Sequence, residues 1–372
     1  QLERRRFDRL IDTAWRRTSY SGLLRVEEPA AGVASEPEVE ALSDEPDAEV
    51  EEREIPVVSD LPGVASPMAD LPVGATFGSL VHGALEFADP AAVDFAEALR
   101  EAVVEQLRWW PVDAEAEEIA AGLLPSQLTP LGPIAGGLAL AEIPLADRLR
   151  EWEFEFPLAG GEDAPAAGYP TLRDLAATLA ARLHPEDPLI EYPEHLARPP
   201  LGDQPLKGYL SGSIDAVLRI PIDGAEIDGA EIDGAERATG AGAGEHRYVV
   251  VDYKTNVLGD GLAPMTSADY GRSAMAAAMI HSHYPLQALL YSVVLHRYLR
   301  WRLPDYDPSR HLGGVAYLFL RGMCGPETPA DGGHPTGVFA WQPGADVVVA
   351  LSDLLAGLGE SELGEETDGG LW

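Results

Sequence analysis

The sequence has one cysteine, Cys324, and two lysines, Lys207 and Lys254. A single cysteine excludes a disulfide framework, a Cys-based zinc site and a four-Cys iron–sulfur cluster. Neither lysine stands in a Gly-x-x-x-x-Gly-Lys-Ser/Thr context, which excludes a phosphate-binding P-loop. Long apolar runs are missing: none approaches the roughly 18 residues that a membrane span needs. No secretory signal opens the chain, whose first residues, Gln1-Leu-Glu-Arg-Arg-Arg-Phe, read as a charged helix. These absences point to a soluble, cytoplasmic protein. The missing initiator Met points to a piece of something longer. Positive charge is also scarce: 26 Lys plus Arg face 62 Asp plus Glu, a net charge of −36. Such acidity argues against non-specific nucleic-acid binding. A salt-rich cytoplasm or a GC-rich genome accounts for it more simply than mimicry of DNA.

What is present divides the chain. Residues 3–18 carry Leu10, Ile11, Ala14 and Trp15 at helical spacing. Residues 27–70 hold fourteen acids against Arg53 alone. That segment reads as a disordered, self-repelling linker, with too little apolar surface to offset its ordering entropy. A globular region is expected from about Leu71. Within it, helices are expected at 76–87, 91–109, 171–183, 271–281, 284–302 and 346–355. Strands are expected at 152–157, 209–220, 246–253, 314–320 and 337–341, and residues 124–148 are left open. Three copies of Ile-Asp-Gly-Ala-Glu start at Ile222, Ile227 and Ile232. Their period is too short for a solenoid, and with the Gly/Ala stretch that follows they read as an expanded hairpin loop. Strands around 209–253 flanked by long helices predict an α/β domain with a mixed central sheet.

Chemistry concentrates in Tyr248-Val-Val-Val-Asp252-Tyr253-Lys254. Residues i and i+2 of a strand share a face, so Asp252 and Lys254 point the same way at the end of an apolar run. A carboxylate beside an ammonium suits phosphodiester hydrolysis, the Asp holding Mg²⁺ and the Lys stabilising charge. The same pair also reads as a strand-end salt bridge. Arg has replaced Lys almost everywhere, however, so Lys254 stands where a compact point charge matters. Asp215, in Gly212-Ser-Ile-Asp215, lies on the expected partner strand and could share a cation with Asp252; it reads equally as a turn or solvated strand Asp. Glu153 and Glu155 alternate with Trp152, Phe154 and Phe156, which makes Glu153 either a third acid or part of a solvated edge. His82 lies on an apolar helix and is either a packed core residue or a metal ligand. Gln287 and Tyr291 share a helix face and either point into a site or satisfy each other. From Met265 to Arg321 six Arg face three Asp. With Tyr298 and Trp301 this is a candidate DNA contact or simply an amphipathic helix end.

The motifs Gly208-Tyr-Leu-Ser-Gly212-Ser-Ile-Asp215, Val251-Asp252-Tyr-Lys254-Thr-Asn256, Ala274-Met-Ala-Ala-Ala-Met279, Tyr284-Pro-Leu-Gln287 and Gly313-Gly-Val-Ala-Tyr-Leu-Phe-Leu-Arg-Gly322 occur in order. Together they resemble the nuclease domain of RecB subunits of RecBCD helicase–nucleases, a branch of the PD-(D/E)xK nuclease superfamily. Weaker matches lie at Thr18-Ser-Tyr-Ser-Gly22, Gly78-Ser-Leu-Val-His82 and Glu153-Phe-Glu-Phe156. The resemblance implies a restriction-endonuclease-like fold and one Mg²⁺ held by His82, Asp215, Asp252 and the Tyr253 carbonyl. It implies Lys254 as the catalytic lysine, Glu153 as the first-motif acid, and Gln287 and Tyr291 as the Gln-x-x-x-Tyr element. It divides the chain into the end of a helicase region (1–26), the acidic linker (27–70), the nuclease domain (71–358) and an acidic tail (359–372). The implied activity is exonuclease action at DNA double-strand ends in recombinational repair. The implied partners are RecC, RecD, RecA and the helicase portion of the same polypeptide, with ATP hydrolysed elsewhere. The rival expectation is a catalytically silent module that binds RecA or RecC. Ser213 departs from the family, standing where Phe is common.

Overall fold

A computed structural model describes residues 17–25, 61–159, 168–222, 246–259 and 261–357. Residues 3–16 of the helix expected over 3–18, most of the expected linker, the Ile-Asp-Gly-Ala-Glu copies beyond Ile222 and the tail at 359–372 lie outside the described residues.

The core is a mixed sheet with helices on both faces. In chain order the described elements begin with β1 (Arg17–Thr18), α1 (Tyr20–Leu24), α2 (Ala75–Phe87), α3 (Phe95–Gln106), α4 (Ala116–Leu128), β2 (Arg148–Pro157), α5 (Leu172–Ala180) and α6 (Tyr192–Leu196). They continue with β3 (Tyr209–Pro221), β4 (His246–Lys254), α7 (Arg272–His281), α8 (Tyr284–Arg302), α9 (Pro308–His311), β5 (Leu312–Phe319), the short pair β6 (Ala330–Asp331) and β7 (His334–Pro335), β8 (Val338–Trp341) and α10 (Ala345–Leu355). The sheet runs β1-β3-β4-β5-β8, with β2 on the other edge of β3. β4 and β5 are parallel, joined across α7 to α9; β3–β4, β5–β8 and β2–β3 are antiparallel.

Burial on both faces explains the unbroken apolar strands. Val315, Tyr317, Phe319, Phe339 and Trp341 point to one core with α5, α6, α8 and α10. Ala316, Leu318, Val338 and Ala340 point to the other, with α2, α3 and α4. α8 is apolar all round because its first thirteen residues are buried, from Tyr284 to His296. Helix starts follow their caps. Asp94 accepts from the Glu97 N–H, so α3 begins at Phe95 rather than at Ala91. Thr171 and Asp174 form a reciprocal capping box at the head of α5.

Two expected boundaries move. Residues 61–70, expected in the linker, are anchored at two points: Met68 is fully buried, and Ser66 donates to the Arg321 carbonyl at 2.7 Å. Arg321 is itself fully buried, and its guanidinium donates to the carbonyls of Thr255, Met68, Leu71 and Pro72. Five donors in a planar fork can collect carbonyls from two segments at once. Near the start, Arg17 and Thr18 pair with β3 as a strand instead of ending a helix. Tyr20 and Leu23 are buried in the same core as α8.

Candidate active site

The site forms where two strands part. β3 and β4 pair as far as Ala216 opposite Val251. Beyond that rung Asp252, Tyr253 and Lys254 remain paired only to Tyr317, Leu318 and Phe319 of β5. The Tyr253 N–H therefore has no β3 carbonyl to meet. It donates to Asp215 Oδ2 at 2.7 Å, a charged acceptor for an otherwise orphaned donor. The parting opens a cleft of about 820 Å³ lined by His82, Glu151, Glu153, Asp215, Asp252, Lys254, Gln287 and Tyr291.

A kink turns two acids into this cleft. Glu151 and Asp215 stand opposite each other in the β2–β3 register, between the pairs Arg150–Ala216 and Trp152–Ile214. Glu151 has φ +40°, which a non-glycine residue rarely adopts. Ile214 and Ala216 would share a face in a regular strand, yet they pack in opposite cores. The strand thus changes face at Asp215. Ser213, the departure from the family pattern, donates its hydroxyl to Glu151 Oε2 at 3.1 Å.

His82 reaches the pair from α2. One ring nitrogen, Nδ1, lies 3.4 Å from Asp215 Oδ1, and the other, Nε2, 3.0 Å from the Tyr253 carbonyl. His82, Glu151 and Asp215 each offer a ligand atom, and these atoms lie within 4.8 Å of one another. Two carboxylates and an imidazole oriented by a carbonyl suit a divalent cation, with water completing its shell.

Behind this trio Asp252 and Lys254 are each 2% exposed. Lys254 Nζ lies 2.7 Å from Asp252 Oδ2, 4.4 Å from the Tyr284 ring centroid and 5.8 Å from that of Tyr317. Asp252 Oδ2 accepts no other hydrogen bond among the described residues, so this buried oxygen retains capacity for a cation. Tyr317 donates to Gln287 Oε1 at 2.8 Å, and Gln287 Nε2 donates to the Tyr291 hydroxyl at 3.0 Å. That chain fixes the aromatic floor under Lys254.

The electrostatics follow from crowding. Burial, then the Asp215 charge, pushes Glu151 up to about 7. Burial raises Asp252 to about 7 against the pull of Lys254. Burial also works against the Asp215 charge, but His82, Lys254 and the Tyr253 N–H together hold its carboxyl below the ordinary value. Three carboxylates with too little positive charge between them are what a divalent cation would relieve.

The structure redistributes some expected roles. Glu151, which alternation alone did not single out, stands in the trio; Glu153 lines the cleft but is exposed. The positive φ of Glu151 carries no sequence signal. Tyr253 directs its carbonyl to His82, and Asp252 faces Lys254 rather than joining the three close ligand atoms. Gln287 and Tyr291 line the cleft and bond each other. The basic stretch is partly consumed by structure. Arg321 is buried, Arg297 donates to Ser352 and the Pro157 carbonyl, and the Arg272 guanidinium donates to the Ala340 carbonyl.

No family model matches the chain. Known proteins do. The chain is 54% identical over 357 residues to RecBCD enzyme subunit RecB of Mycolicibacterium smegmatis, covering 95% of this chain and 30% of that protein. It is 51% identical over 362 residues to the same subunit of Mycobacterium tuberculosis, and 29% identical over 374 residues to that of Escherichia coli. The chain spans about a third or less of these relatives' length. No described helix is long and apolar enough to cross a membrane. A mixed sheet flanked by helices, the ordered motifs that line its cleft, and identity above one half across nearly the whole chain lead to one conclusion: the chain is homologous, along 95% of its length, to a part of the RecB subunit of RecBCD enzymes.

Proposed function

We propose that this chain is the nuclease portion of a RecBCD-type helicase–nuclease, hydrolysing DNA phosphodiesters with Mg²⁺ at double-strand ends during recombinational repair. The observation that carries this reading is the convergence of His82, Glu151 and Asp215 beside a buried Asp252–Lys254 pair. Such a set has no packing purpose, since three carboxylates cost energy together unless a cation joins them.

His82, Glu151 and Asp215 would hold the cation, with Asp252 beside them. When bound, the cation supplies Lewis-acid stabilisation of the charge that develops on the phosphate. The chain's own residues do the rest. The Tyr253 carbonyl and Asp215 fix the imidazole plane of His82, and the Tyr253 N–H fixes the Asp215 carboxylate. Asp252 and the face of the Tyr284 ring hold the Lys254 ammonium in place at the buried end of the cleft. That ammonium would donate to a phosphate oxygen or orient the attacking water, and it needs no reorganisation to do so. Gln287, Tyr291 and Tyr317 hold the lysine's surroundings rigid.

RecC and RecD, a helicase portion of the same polypeptide, and RecA are the proposed partners. ATP hydrolysis belongs to the helicase portion.

The test is cleavage of linear single-stranded DNA by the chain with Mg²⁺, beside Asp252→Ala and beside chelator. Loss in both supports metal-dependent hydrolysis. Equal cleavage by the variant would remove Asp252 from the site. Should the chain be silent alone and also within a RecBCD-type complex, the non-catalytic reading would replace this one.

A further inference from the structure

The cations of the cleft are already engaged. Arg17 pairs with Glu155 at 3.1 Å, and Lys254 with Asp252 at 2.7 Å. Glu86, Glu151, Glu153 and Asp215 stand on the same walls. A DNA strand gripped through its phosphates alone would find little positive charge to hold it.

The wall made by α2 and α3 is of another kind. There the cleft is lined by Gly83, Phe87, Gln106 and Trp110. Phe87 is 61% exposed although it closes α2. It lies five residues beyond His82, about 7.5 Å along the helix axis. Trp110 packs its inner side on the α2–α3 core and leaves the rest at the cleft. Gln106 is 8% exposed, and its amide makes no hydrogen bond among the described residues. The amide lies against Gly83, where a Cβ would come within 2.4 Å of Gln106 Oε1. Glycine next to His82 is what lets the amide reach the cleft.

We propose that Phe87, Trp110 and Gln106 form a nucleobase pocket, which takes an unstacked base of a single DNA strand whose backbone lies at the carboxylates. The proposal rests on the hydrolytic reading above and names the form of its substrate. Aromatic rings stack on the face of any base. A glutamine amide carries both donors and an acceptor, so it can meet the edge of any base. Neither contact needs a free cation, which resolves how an acidic cleft retains DNA. A base paired and stacked in a duplex cannot enter, so the pocket selects single strands.

The experiment uses the 372-residue chain and two single-stranded oligonucleotides of equal length, oligothymidylate and one with a central abasic tract. Both carry the same phosphates. Binding is read by fluorescence anisotropy with Ca²⁺, and cleavage with Mg²⁺. Oligothymidylate is expected to bind about 5- to 100-fold more tightly than the abasic strand, the range set by loss of one stacked base. Phe87→Ala and Gly83→Ala should erase that preference while leaving abasic binding unchanged. Trp109→Ala, at a ring 72% exposed but outside the cleft, should keep it. Equal binding of both strands by the unmodified chain would overturn the pocket. So would a preference that survives Phe87→Ala, which would leave that ring to a protein partner. Base-dependent binding with no Mg²⁺-dependent cleavage, by the chain alone or within a RecBCD-type complex, would uphold the pocket and sink the hydrolytic reading. Cleavage without base preference would do the reverse.

Discussion

Glu151 and Asp215 face each other across the β2–β3 ladder at the single register position where the strand changes face. Directly opposed like charges are destabilising in a sheet. Their juxtaposition, with the positive φ of Glu151, concentrates destabilising features at the candidate site.

Glu151 and Glu153 therefore have separable effects. Glu151→Gln should lower Mg²⁺-dependent cleavage at least about tenfold, on the scale of losing a charged transition-state or metal contact. Glu153→Gln, at an exposed position, should change it less than about threefold. Initial rates at saturating and limiting Mg²⁺ give the comparison. The opposite ranking would restore the expectation drawn from strand alternation.

A divalent cation should stabilise the fold. At a concentration about 100 times its dissociation constant, a ligand bound only by the native state contributes about 2.7 kcal/mol. For a protein of this size that corresponds to a rise in Tm of several degrees. Calorimetry with Ca²⁺ or Mg²⁺ against chelator should show this rise, and Asp215→Asn should abolish it. An unchanged Tm in the unmodified chain would argue against the trio as a cation site.

His296 makes stability depend on pH. It is buried on α8, its Nδ1 is 2.9 Å from the Tyr306 hydroxyl, and Arg297 and Arg300 lie nearby. Burial, with those two cations, lowers its pKa to about 4 from an ordinary value of 6.5. The unfolded chain thus binds a proton between pH 6.5 and 4 that the native state refuses. Stability from this group is intact above 6.5 and falls as pH drops towards 4. In His296→Gln the urea midpoint should fall less steeply over that window than in the unmodified chain. Identical slopes would place the protonated ring in a tolerated environment.

Arg321→Met should destabilise the protein by about 3–5 kcal/mol, because it strips partners from several buried carbonyls at once. It should also weaken cation binding, since those carbonyls at Met68, Leu71 and Pro72 lead into the helix carrying His82. Urea unfolding and calcium titration measure the two effects. Full cation affinity in a destabilised variant would confine Arg321 to stability alone.

The legible parts of this molecule were those encoded locally. Asp252 and Lys254 share a face because strand period is fixed, and the strand was recognisable from Val249, Val250 and Val251. Asp215 followed from its place on the antiparallel partner. Gln287 and Tyr291 followed from helical spacing. Glu151 was hidden because strand alternation assumes an unkinked backbone, and the kink is imposed by neighbours. Met68 was hidden for a different reason. Its flanks are acidic and Pro-rich, and the partner that orders them, Arg321, lies far along the chain. The basic stretch stayed open between its two readings because sequence cannot show which guanidiniums are spent on carbonyls.

The ladder between β3 and β4 runs from Ala216–Val251 to Pro221–His246, five rungs further on. At about 3.4 Å per residue that is about 17 Å from the carboxylates. Pro221 and His246, between which the Ile-Asp-Gly-Ala-Glu copies run in the sequence, pair at that remote end. Adding or removing a copy between them therefore changes the chain at the end of the ladder remote from the carboxylates. The same junction is a natural port for grafting a reporter or an affinity handle into the chain.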